Sequence, residues 1–112
     1  MKDCLFCKIA NKEINAKIIS ETNEWICFED VNPKAPIHYL IIPKKHFNNF
    51  HEVDNPDIYA NLLKGIREVV KIADLITSGY RVITNTGPDG GQSISHLHFH
   101  IMGKRPMGWP PG

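Results

Sequence analysis

No apolar run in the 112 residues approaches the roughly 18 needed to cross a bilayer as a helix. Met1-Lys2-Asp3 leads straight into a short mixed segment, without the charged-then-apolar pattern of a secretory leader. Cysteine is scarce, and its odd count of three argues against a disulfide framework. These absences place the expected location in the cytoplasm. Charge of one sign is missing too. A formal balance of +1 gives no electrostatic footprint for nucleic acid and no polybasic membrane anchor. There is no internal repeat, linker or low-complexity stretch, so residues 1–112 read as one domain. A hydrophobic content of 42% is enough for one modest core at this length, and not for two.

What the chain does have is concentrated near its end. Gly91-Gln92-Ser93-Ile94-Ser95-His96-Leu97-His98-Phe99-His100-Ile101 places half of the six histidines within five residues. Side chains two apart on a strand share a face. The alternation therefore predicts a strand from Ile94 to Met102 with His96, His98 and His100 on one face and Leu97, Phe99 and Ile101 on the other. A solvated strand face accounts for one or two histidines. Three in a row, after a glycine-rich loop, point to a site that handles phosphate or metal.

The rest of the chain frames that strand. Residues 4–10 read as a helical turn, and 17–20 and 24–29 as a hairpin joined at Glu21-Thr22-Asn23. Prolines make 32–36 a loop, Ile37 to Ile42 a buried strand ending at Pro43, and 48–55 irregular. Asn55 is a good N-cap before Pro56 and Asp57. Ile58, Leu62, Ile66, Val69, Ala73 and Ile76 then recur at helical spacing, which predicts one long helix stopping before Gly79. Residues 80–85 read as a strand, and the proline-rich tail from Pro106 to Gly112 as irregular. The pattern is α+β: an antiparallel sheet of about five strands with one helix on one face.

Asn85-Thr86-Gly87-Pro88-Asp89-Gly90-Gly91-Gln92-Ser93 precedes the histidines. It reads either as a plain hairpin connection or as a nest of main-chain N–H groups for an anion. Imidazole can attack phosphorus and form a covalent intermediate. His98, flanked on both sides, is the natural nucleophile, and a nearby serine could serve the leaving group. A zinc ion held by the three histidines alone is disfavoured, because positions i and i+4 of a strand lie roughly 13 Å apart.

His96-Leu97-His98-Phe99-His100-Ile101-Met102 resembles the signature of the histidine triad (HIT) superfamily. Asp30, the segment from Pro36 to His46, the stretch Asp89 to Ser93 and the terminal Trp109-Pro110-Pro111-Gly112 resemble its Hint branch, the histidine triad nucleotide-binding proteins. The resemblance implies a homodimer that hydrolyses purine nucleoside phosphoramidates, AMP- or GMP-amine conjugates, through a nucleotidyl-histidine. It implies His98 as nucleophile, His100 on phosphate, His38 orienting the nucleophile and Asp30 on the ribose hydroxyls. Asn85, Gly91, Gln92 and Ser93 would line the phosphate and leaving-group region. Phe28, Ile9 and Leu40, with Phe6, would pack around the base. Trp109 would reach the partner subunit's site. No cofactor is implied for catalysis.

Cys4-Leu5-Phe6-Cys7 has the spacing of half a zinc site, or is a pair of reduced cysteines on a helical turn. The resemblance to bacterial relatives implies a structural zinc on Cys4, Cys7, His46 and His96, with His96 then acting indirectly by fixing the triad strand. Cys27, in Trp25-Ile26-Cys27-Phe28, reads as a small buried hydrophobe. Two other functions stay open at this point: a dinucleoside polyphosphate hydrolase of the same superfamily, and a nucleotide-binding or interaction module with little turnover.

Overall fold

A computed structural model describes residues 3–112; Met1 and Lys2, part of the leader reading, lie outside it. The elements in chain order are α1 (Leu5–Ala10), β1 (Ile18–Glu21), β2 (Trp25–Glu29), β3 (Ile37–Pro43), a 3-10 turn (Phe50–Glu52), α2 (Pro56–Ile72), β4 (Tyr80–Ile83) and β5 (Phe99–Gly103). The strands form one antiparallel sheet in the order β1-β2-β3-β5-β4. This is the α+β architecture expected. No helix among the described residues is long and apolar enough to cross a membrane.

Residue parity organises the two sides of the sheet, because successive side chains alternate faces. Trp25, Cys27, Tyr39, Ile41 and Ile101, all odd, join Leu62, Val69 and Val70 of α2 in one core. Ile26, Phe28, Leu40 and Ile42, all even, join Phe6 and Ile9 of α1 in a second core on the other face. Full burial of side chains such as Ile41 or Ile101, both 0% exposed, stabilises the fold by roughly 1.5–3 kcal/mol each. His38, His98 and His100 are also even, so the sheet presents them beside the second core.

Helix α2 begins as its sequence predicts. The Asn55 side chain accepts a hydrogen bond from the Asp57 N–H, and Pro56 needs no donor. It ends earlier than predicted, at Ile72. Asp74 takes a left-handed conformation (φ +57°), its N–H reaches the Lys71 carbonyl, and the Leu75 N–H reaches Val70. That pair of bonds closes the helix and turns Leu75 into the core at 0% exposure. Ile76, expected on the apolar face, is 62% exposed instead. Gly79 (φ +94°) ends a separate turn that follows.

The final strand is shorter than predicted. β5 starts at Phe99, paired with Ile41, so residues 94–98 precede it. Continuing the ladder would set Leu97 against Pro43, which has no N–H to give. The Leu97 N–H bonds to the Phe47 carbonyl instead, at 2.7 Å. Leu97 and Ile101 still face the α2 core with Phe99 packed against it, as the alternation implied. The 48–55 stretch is not wholly irregular: Asn49 caps the 3-10 turn through its side chain.

Candidate functional site

The even-numbered face carries a cavity of about 610 Å³, within the range of small-molecule pockets. His98, His100, His38, Ser93, Asp30, Phe28, Leu40, Ile9 and Phe6 line it, all sequence candidates. Its apolar end is the second core, and its polar end is the histidine cluster.

Hydrogen-bond partners assign the tautomers. The Lys34 N–H donates to His38 Nδ1 at 3.0 Å, so the His38 proton sits on Nε2. That Nε2–H faces His100 Nδ1 at 2.9 Å and Asp30 Oδ2 at 3.4 Å. His100 accepts on Nδ1 and is left with its own N–H on Nε2, a donor for an oxyanion. His98 Nδ1–H donates to the His96 carbonyl at 2.7 Å, which leaves the lone pair on Nε2. Phe6 stands edge-on to the His98 ring with centroids 5.1 Å apart, and the His100 ring lies at the same distance. Burial pushes His100 down to about 4, with the neighbouring His98 and His38 adding to the effect and Asp30 opposing it. Burial also lowers His38. Both rings are therefore neutral at pH 7 and act as directed donors and acceptors rather than cations.

Asp30 keeps a second, local task. Its Oδ1 accepts the Asn32 N–H at 2.8 Å and so closes the turn before Pro33, while Oδ2 looks into the cavity cluster. Asp30, His38 and His100 lie close enough to suggest a metal site. The Lys34 bond argues against it, because it forces a proton onto the only His38 nitrogen that faces the cluster.

A different cluster suits a metal. Cys4, Cys7, His46 and His96 bring their ligand atoms together next to the triad segment, with Cys4 packed against the second core. His96 Nε2–H is spent on the Pro43 carbonyl (3.0 Å) and His46 Nε2–H on Asn48 Oδ1 (2.9 Å). Both Nδ1 lone pairs then face inward, 3.1 Å apart, with Cys7 Sγ 3.2 Å from His46 Nδ1 and Cys4 Sγ 3.2 Å from His96 Nδ1. A tetrahedral zinc with ordinary bond lengths sets N···N at about 3.3 Å and S···N at about 3.6 Å. These separations match that shape to within a few tenths of an ångström, and the outer nitrogens already hold the acceptors that orient metal-bound imidazoles. The cluster could thus hold a zinc ion. Burial raises the Cys7 thiol, and the ion would supply the charge that favours its thiolate. Burial raises Cys27 to about 12, far from this cluster's chemistry.

Not every candidate meets the cavity. The His96 ring belongs to the Cys/His cluster. Asn85, Gly91 and Gln92 shape the preceding loop: the Asn85 side chain donates to the Gly90 carbonyl, Gly91 sits at φ +75°, and Gln92 Oε1 accepts the Gly87 N–H. Trp109, in the tail, is 85% exposed. Sequence reasoning missed Leu5, Ile14–Ala16 and Ile94 on the cavity wall, and Asn48 behind His46. Lys34 was also missed; nothing in a Pro-Lys-Ala-Pro loop advertises that its backbone fixes a histidine tautomer.

Comparison with known proteins agrees with this geometry. The profile of the HIT domain matches residues 11–107. Protein HitA of Neisseria gonorrhoeae is 43% identical over 105 residues, covering 92% of this chain and 97% of that protein. The crystal structure of a HIT family hydrolase from Legionella pneumophila Philadelphia 1 superimposes with a TM-score of 0.94 at 42% identity, covering 98% of this chain and 100% of the other. A histidine triad protein from Clostridium difficile gives a TM-score of 0.92 at 39% identity, with 97% of both chains covered. The five-stranded antiparallel fold is thus shared with these proteins, and the chain belongs to the HIT family.

Proposed function

We propose that this protein is a nucleoside phosphoramidate hydrolase of the Hint type, acting on purine nucleoside monophosphate–amine conjugates. The observation that carries the reading is the tautomer of His98. Its Nδ1–H is anchored on the His96 carbonyl, so Nε2 carries a lone pair at the cavity. In the first step His98 Nε2 attacks the α-phosphorus and the P–N bond breaks. The amine departs with a proton, for which the Ser93 hydroxyl on the cavity wall is the relay. In the second step water attacks the phosphorus, the P–His98 bond breaks, and the nucleoside monophosphate leaves with Nε2 restored. His100, a neutral donor on Nε2, stabilises the non-bridging oxygens, and His38 holds His100 in that tautomer. Asp30 takes the ribose hydroxyls. Phe28, Ile9, Leu40 and Phe6 enclose the base, and the loop of Asn85, Gly91 and Gln92 shapes the phosphate end.

Zinc at Cys4, Cys7, His46 and His96 plays a structural part in this reading. When bound, it supplies a fixed tetrahedral anchor rather than a reacting centre. Three free cysteines, two of them ligands, fit a reducing cytoplasm. A homodimer fits the open β4 edge, where Tyr80 and Val82 are 44% and 39% exposed, and the exposed Trp109 is the residue that the resemblance assigns to the partner's cavity.

The test is AMP release from adenosine 5′-phosphoramidate by wild type and His98→Ala, with a dinucleoside tetraphosphate assayed in parallel. Turnover of the phosphoramidate that disappears in His98→Ala supports the proposal. Preference for the tetraphosphate would move the substrate class to polyphosphates. AMP binding without turnover of either would make the protein a binding module.

A further inference from the structure

The four metal-facing residues do not support one another alone; together they are tied to three parts of the cavity. Cys4 and Cys7 bracket the first turn of α1, where Cys4 Sγ accepts the Cys7 N–H at 3.3 Å. That helix has only six residues, too few to persist by itself. Its intervening residue Phe6 reaches the other way, edge-on to His98 and 5.5 Å from the Phe28 ring centroid. His96 gives its side chain to the metal cluster and its carbonyl to His98 Nδ1–H. His46 donates from Nε2 to Asn48 Oδ1. The Asn48 carbonyl in turn accepts from Gln92 Nε2 at 2.6 Å, and Gln92 Oε1 accepts the Gly87 N–H at 3.1 Å. The apolar wall, the nucleophile's ring and the glycine loop thus each end on a different part of one four-donor cluster.

We propose that zinc at this cluster and nucleotide in the cavity bind cooperatively, with Asn48 and Gln92 as positioning residues that carry the coupling to the glycine loop. The inference rests on the nucleotide reading above and adds a regulation of the same site. Filling the cluster fixes α1, the His96 carbonyl and the Asn48 segment together. A nucleotide then meets a cavity whose ordering has already been accomplished, and binds more tightly than to the metal-free protein. The coupling must be reciprocal: AMP must strengthen zinc binding by the same factor that zinc strengthens AMP binding. No turnover is involved, since AMP is the product.

The experiment measures zinc affinity of the full chain by competition with a chromophoric chelator, without AMP and with saturating AMP. AMP affinity is then measured by calorimetry on zinc-loaded and metal-free protein, with far-UV circular dichroism confirming that the latter is folded. The expected result is a shift of about fivefold or more, equal in both directions. Gln92→Leu cuts the loop from Asn48 without touching a ligand. It is expected to keep the zinc affinity measured without AMP and to lower the coupling factor toward one. If the metal-free protein unfolds, this variant decides, because its coupling is compared with wild type through the same folding step. Equal AMP affinity with and without zinc in folded protein overturns the coupling while leaving the nucleotide reading intact. An unchanged coupling factor in Gln92→Leu overturns the assigned route. Failure of zinc-loaded wild type to bind AMP at all overturns the nucleotide reading and the coupling with it.

Discussion

Gly65→Ala should destabilise this protein although alanine is the better helix former. In an unobstructed helix interior the change stabilises by about 1 kcal/mol. Here Gly65 lies where α2 meets the sheet. A Cβ would stand 2.5 Å from Ile41 Cδ1 and 2.7 and 2.8 Å from Trp25 Cε2 and Cδ2. The Ile41 methyl ends a flexible side chain, but Ile41 is 0% exposed and has no free space to enter. Trp25 is a rigid plate at 4% exposure. Relief requires lifting the helix from β2 and β3, and overpacking of this kind costs about 1–3 kcal/mol. With three carbons inside 3.0 Å the cost lies at the upper end, about 2–3 kcal/mol, and the propensity gain of about 1 kcal/mol leaves a net loss of about 1–2 kcal/mol. For a chain of this length the unfolding entropy at the midpoint is about 0.24 kcal/mol/K, so Tm falls by about 4–8 °C. Differential scanning calorimetry on the zinc-loaded protein reads it. AMP affinity should stay within twofold, because the contact is on the face of the sheet away from the cavity. An unchanged or raised Tm would refute the close approach of α2 to Trp25.

The acid sensitivity of the cavity has a defined sign. An unfolded imidazole titrates at about 6.5, and His100 in the fold at about 4. Between those values the unfolded chain holds more protons, so the His100 contribution is complete above pH 6.5 and is lost as pH falls toward 4. His38, shifted the same way, adds to the loss. Imidazole NMR isolates His100 from acid release of metal; a charged His100 ring at pH 6 would contradict the assignment. Cys7→Ser should drop zinc content from one equivalent per chain to well below one, read by elemental analysis after gel filtration; full retention would remove Cys7 from the ligand set. Asn55→Ala removes the acceptor of the Asp57 N–H and should lower stability by about 1 kcal/mol, measured by urea denaturation; no change would mean the cap is dispensable.

Elements whose signal is local were legible in the sequence. The cap of α2, the β1–β2 hairpin and the alternation of Leu97, Phe99 and Ile101 each follow from neighbouring residues. So does the Cys4–Cys7 half of the metal cluster. The two histidines that complete it carry no local signal: His46 and His96 lie 39 and 89 residues from Cys7, and only the family resemblance pointed to them. The end of α2 was misread because Ile76 continues the apolar period. The chain reverses at Asp74, where the gain is the burial of Leu75, a long-range payoff invisible to a periodic count. The start of β5 was misread because the histidine alternation persists through residues that find no ladder partner. Pro43, in another strand, decides that boundary. Tautomers lay furthest from reach, since Lys34 acts on His38 through its backbone N–H, which every residue but proline possesses.

The parity of the strands makes the sheet a partition between two kinds of tolerance. Odd positions of β2, β3 and β5 answer to α2, and even positions answer to whatever enters the cavity. Same-length substitutions at Phe28 or Leu40 could therefore retune ligand choice while the helix-side core keeps its packing. Insertion or deletion of a single residue within β3 has no such latitude. Placed between His38 and Ile41, it would put both on one face, so that either the histidine leaves the cavity or the isoleucine leaves the α2 core. Drift in ligand preference should accordingly proceed by replacement within the strands, with length variation confined to the connections around them.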